Sequence, residues 1–69
     1  MKFCIEVSSS HILNNNLYQN IEAESIEDAI HKVKIKHTKL FEEEQKGGSI
    51  SKDNKLEFKS FKLTVEIPA

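Results

Sequence analysis

The chain has 69 residues, 38% of them hydrophobic and 30% charged, with a formal net charge of -1. A chain this short forms one domain, residues 1–69, with a modest core. Its balanced charge supplies no overall field toward nucleic acid or a membrane surface, and no segment approaches the roughly 20 apolar residues of a membrane span.

All ten basic residues are lysine. Arginine is the planar fork that reads phosphates and guanine edges, so its absence argues against sequence-specific nucleic-acid recognition. Cys4 is the only cysteine. One thiol cannot form an internal disulfide, and no cysteine cluster exists to hold zinc. The opening residues MKFCIEVSSS lack the apolar core of a secretory signal, so the expected location is the cytoplasm.

Phe3, Ile5 and Val7 alternate with Cys4, Glu6 and Ser8, which predicts a strand with one buried face. SSSHILNNN follows, rich in side chains that bond nearby backbone, and reads as a loop. The second strand is expected to set Leu17, Gln19, Ile21 and Ala23 on one face and Tyr18, Asn20 and Glu22 on the other. Ser25 with Asp28 fits a capping box, and Glu24, Glu27 and Asp28 suit the positive end of a helix dipole. Ile26, Ala29, Ile30, Val33, His37, Leu40 and Phe41 then recur at helical spacing. Gly47-Gly48 supplies a stop, so the spacing predicts a helix over about 25–46; Thr38 is the one place it would end early.

The last segment, KLEFKSFKLTVEI, alternates in two phases: Leu56 and Phe58, then Phe61, Leu63, Val65 and Ile67. Lys59-Ser60 is poor chemistry for a tight hairpin, so a β-bulge within one long strand is expected there. Asp53-Asn54 is turn chemistry, and residues 49–52 are compatible with a short extra strand. The resulting fold class is α+β, ββαβ with an optional added strand. Its three-stranded antiparallel sheet has order 2-1-3, with one long helix on one face by a right-handed crossover. Phe3, Ile5, Val7, Leu17, Ile21, Leu63 and Val65 would face the helix. Cys4, Glu6, Tyr18, Asn20, Glu22, Lys62, Thr64 and Glu66 would face water.

No reactive constellation stands out. His31 and His37 are six apart, whereas metal or catalytic pairs on a helix want spacing near four. His37 reads as a satisfied histidine at the core edge. Cys4 has no evident basic neighbour to activate it. No glycine-rich phosphate loop precedes a helix. The expectation is a non-catalytic protein with no cofactor and no metal.

The joint IEAESIEDAIHKV resembles a recurrent pattern in small proteins of phages and conjugative elements: a strand ending V-x-A-x-S, then acid, acid, Ala, Ile. The DpnD/PcfM-like family is one example, and the likeness spans Leu17 to about Val33. Asp28 stands where glutamate is commoner, and no match extends beyond Lys39. The resemblance implies a mobile-element origin and carries no catalytic residues.

Two functional expectations follow. The first is a protein-binding module, such as a phage- or mobile-element-encoded inhibitor or modulator of a host system. Its contacts would come from Ile12, Leu13, Tyr18, Ile35 and Phe41: apolar groups on a loop, on the outer sheet face and at the exposed or overhanging parts of the helix. The alternative is sequence-nonspecific nucleic-acid binding through Lys32, Lys36 and Lys39, which share a helix face at i, i+4 and i+7. A homodimer through the outer sheet face or a strand edge is compatible with both.

Overall fold

A computed structural model describes residues 1–13 and 15–66, with the side chains of residues 65 and 66 left aside. Four elements follow in order: β1 (Lys2–Ser9), β2 (Leu17–Glu22), α1 (Ile26–Lys46) and β3 (Phe58–Glu66). The sheet order is β2-β1-β3, antiparallel throughout, as the element pattern predicts.

The helix starts where its polar signals place it. Ser25 is the N-cap, and its Oγ accepts from the Asp28 amide at 3.1 Å. Asp28 reaches back, accepting at Oδ2 from the Glu24 amide at 3.4 Å, and pairs with the Lys32 ammonium at 3.5 Å. These contacts satisfy amides that no helical turn can reach. At the far end the Gly47 amide donates to Glu43 O and the Ser49 amide to Glu44 O. That closure requires a left-handed residue between them, and Gly48 supplies it with φ 86. Thr38 does not end the helix; it sits half-buried within it.

Residues 49–52 form turns, not an added strand. Their hydrogen-bonding groups are used locally. Gln45 Nε2 donates to Ser51 O at 3.1 Å and Asn54 O at 2.9 Å, while the Asp53 amide donates to Ser51 Oγ at 3.4 Å. A strand there would have to give these up for a ladder partner.

Both outer strands carry one surplus residue. In β3 the register runs Ser8 to Ser60, then Ser9 to Phe58, so Lys59 is the bulge that the phase slip predicts. Leu56 lies ahead of the strand, and Ile67 lies outside the described residues. In β2 the register runs Phe3 to Ile21, then Ile5 to Tyr18: two steps on β1 against three on β2. Asn20 has φ 58, a left-handed conformation that asparagine tolerates better than most residues. This bulge reverses the expected parity below it. Tyr18 faces the core at 8% exposure, and Leu17 points out at 45%. Placing a β-branched side chain at φ 58 is costly, so Asn20→Val is expected to lower the unfolding free energy by about 1–2 kcal/mol. Asn20→Gly, which adopts the conformation freely, should lose less than Asn20→Val in urea denaturation.

The core combines Phe3, Ile5 and Val7 of β1 with Tyr18, Ile21 and Ala23 from and just after β2, and with Ala29 and Val33 of α1. Of the helical stripe, Ala29, Val33, His37 and Phe41 are buried, Ile30 and Leu40 are half-buried, and Ile26 is 54% exposed. The α1 backbone runs nearest β2 and β1. It reaches β3 through Lys34 and His37, which meet Phe58 and Phe61. Phe58, Phe61 and Leu63 therefore pack at the margin of the core, only partly buried.

Candidate functional site

The buried polar centre of the molecule is His37, with 0% exposure on the core side of α1. Its Nδ1 lies 2.8 Å from the Tyr18 hydroxyl, and its Nε2 lies 3.4 Å from Ser9 Oγ. The Ser9 hydroxyl donates its one proton to His11 O at 2.9 Å, so toward His37 it can only accept. Nε2 therefore carries a proton; burial disfavours the charged ring, so the ring is neutral and the Tyr18 O–H donates to Nδ1. Burial pushes the His37 pKa below its usual value, with the Glu44 carboxylate pulling the other way. Burial likewise raises the Tyr18 phenol. The ring stands edge-on to Tyr18 and tilted against Phe58, both with centroids 5.8 Å apart. Buried at His37 and Tyr18 and half-buried at Ser9, this relay joins helix, β2 and the end of β1 and gives each of its polar groups a partner.

The surface is more open. On the outer side of α1, Ile35 is 46% exposed and lies opposite the buried stripe. It forms a ridge shared by two clefts. The cleft toward β2, about 410 Å³, is lined by Ile35 with Lys32, Lys36, Lys39, Asn20 and Glu22. The cleft toward β3, about 520 Å³, is lined by Ile35 with His31, Lys34, Thr38 and Phe58 among others. The helical spacing of the lysines thus does bring Lys32, Lys36 and Lys39 to one wall. Lys32 is already engaged, donating to Glu22 O at 2.6 Å as well as pairing with Asp28. Among the described residues, Lys36 and Lys39 make no salt bridge. Lys34 lies over two rings, 5.8 Å from the centroid of Phe58 and 5.7 Å from that of Phe61, which stack on each other.

A third cleft, about 440 Å³, opens where the β1–β2 loop meets the sheet and includes Ser8, His11, Ile12, Asn16 and Leu17. Ile12 is 94% exposed there, whereas its neighbour Leu13 is buried at 5%. The loop is pinned by Ser10, whose amide donates to Glu57 O at 2.8 Å and whose Oγ accepts from the Glu57 amide at 3.0 Å.

Of the five residues expected to offer apolar contacts, Ile12 and Ile35 stand on the surface. The other three are in the core. Leu13 tucks under its loop. Phe41 is 5% exposed, its ring 5.1 Å from that of His11, and Tyr18 is turned inward by the Asn20 bulge. Lys34 and Phe58 do not stand out in the sequence, because a lysine between apolar positions looks like an ordinary solvated side chain. The available signal was the pairing of a helix lysine with the two phenylalanines flanking the β3 bulge.

Among the described residues no group of three His, Cys, Asp or Glu side chains is placed to hold a metal ion, and no helix is long and apolar enough to cross a membrane. Comparison with family models, curated proteins and solved structures finds no match to this chain.

Proposed function

We propose that this chain is a non-catalytic protein-binding module that presents the outer face of α1 to its partner. The observation that carries this reading is Ile35, a large apolar side chain 46% exposed between two clefts and ringed by lysines. An apolar anchor inside a charged rim is the arrangement that concentrates binding energy in protein interfaces. A module of this kind acts by occupancy. It inhibits or modulates the protein it covers, in keeping with the mobile-element origin suggested by the strand–helix joint.

Affinity capture from the source cells tests this. Ile35→Asp introduces a charge at the centre of the face and is expected to weaken partner capture by tenfold or more, on the order of 1.4 kcal/mol. Lys52→Asp, in the turn that follows the helix, should leave capture unchanged. Full retention of the partner by Ile35→Asp would sink the reading.

The shared wall of Lys32, Lys36 and Lys39 supports a second reading, contact with a nucleic-acid backbone. Gel shifts with random DNA and RNA at low salt address it. Binding there should fall steeply as salt rises, and no shift at micromolar protein removes it.

A further inference from the structure

A sheet of three strands spaced about 4.8 Å apart presents a face roughly 14 Å wide, and a helix with its side chains covers about 10 Å of it. Because α1 runs nearest β2 and β1, the strip left over is the inner side of β3. Phe61 and Leu63 pair with Val7 and Ile5, which fixes them on that inner side, yet both stay partly buried, as does Phe58. The 520 Å³ cleft lies along the flank of α1 beside this strip and reaches β3 at Phe58. Its charged lining is Lys34 and Lys39 against Glu42, with His31 beside them. Lys34 makes no salt bridge among the described residues; its ammonium rests on the Phe58 and Phe61 rings.

We infer that this strip seats an amphipathic, acidic helix of a partner protein, lying alongside α1. Its apolar side chains rest on Phe58, Phe61 and Ile35, and its carboxylates meet Lys34 and Lys39. This rests on the reading of α1 as the binding face and names its occupant. A helix fits because the α1 wall of the cleft is His31, Lys34, Ile35, Thr38, Lys39 and Glu42, the i, i+3, i+4, i+7 row through which helices pack side by side. A partner strand on the β3 edge fits less well, since the Lys59 bulge interrupts that edge. A second copy of this chain fits poorly: its α1 would bring Lys34, Lys36 and Lys39 against the same lysines. A phosphate backbone would leave the phenylalanine strip unused.

The test is selection from a display library of helix-forming peptides of roughly four turns, with charge left free. The enriched sequences are expected to be acidic, with apolar residues at i, i+3 or i+4, and i+7. A synthetic peptide of that type should bind the native chain, and Lys34→Glu should weaken it by roughly tenfold. Lys46→Glu, the same charge change beyond the cleft, should have no such effect. Absence of enrichment, enrichment of basic or extended sequences, equal loss in the two variants, or Lys34-dependent binding of random duplex DNA in place of peptide each overturns the inference. If these fail while Ile35→Asp still abolishes partner capture, only the helix-seating inference falls and the binding face stands.

Discussion

Replacing His37 with alanine is expected to lower the unfolding free energy by about 3–5 kcal/mol, measured by urea denaturation. The ring is fully enclosed, in contact with Tyr18 and Phe58, so its removal leaves a cavity that the surrounding strands close only in part. It also strands the Tyr18 hydroxyl inside the core without an acceptor, which alone costs about 1–3 kcal/mol. A domain of this size commonly holds only about 3–10 kcal/mol in total, so the loss is a large share of the whole. The polar share of the loss can be separated from the cavity. His37→Leu with Tyr18→Phe removes both ends of the bond while keeping most of the volume. The double variant should be less destabilised than the two single losses added together, by about 1 kcal/mol. Strict additivity would mean that the relay contributes nothing beyond packing.

The second large effect is a loss of stability in mild acid. The folded chain holds His37 neutral, with a pKa below that of an unhindered imidazole. The unfolded chain therefore binds the proton first. Above about pH 6.5 the ring is neutral in both states and the contribution is complete. As pH falls below that value toward the depressed folded pKa, stability declines, with a slope of at most about 1.4 kcal/mol per pH unit. Protonation also destroys the acceptor that the Tyr18 hydroxyl uses. Glu44 on the same helix moderates the effect by favouring the charged ring. The comparison is between the native chain and His37→Gln over pH 5–7, in which every other titrating group is common to both. The native chain should lose stability relative to the variant across that window, and parallel curves would contradict the assignment.

Much of this architecture is legible in the sequence, because helix caps, stripe spacing and strand alternation are local signals. Ser25 and Asp28 mark the helix start, Gly48 its end, and the phase slip at Lys59-Ser60 marks the bulge in β3. The face of Tyr18 is not legible, since it depends on one left-handed residue. With Asn20 extended, the alternation of Leu17, Gln19 and Ile21 is self-consistent, and nothing local contradicts it. A nonlocal signal existed: a histidine on a core stripe needs a polar partner, and Tyr18 is the only tyrosine. Residues 49–52 misled because their serines and lysine suit a strand as well as a turn, and only the grip of Gln45 decides between them. On the surface, Ile35 is readable as the point opposite the stripe. The cleft beside it is not, because it arises from the mismatch between sheet width and helix width.

The two bulges bear on how the length of this chain can vary. Each outer strand holds one residue more than its stretch of β1 requires, near Asn20 in β2 and at Lys59 in β3. Deleting that residue restores plain alternation and leaves Tyr18, Ile21, Phe58 and Phe61 pointing inward as before. Single-residue gaps are ordinarily tolerated in loops and ruinous in strands, yet here the strands contain surplus positions of their own. In an alignment of homologues, a one-residue gap at either place would denote the same interior on a straighter ribbon.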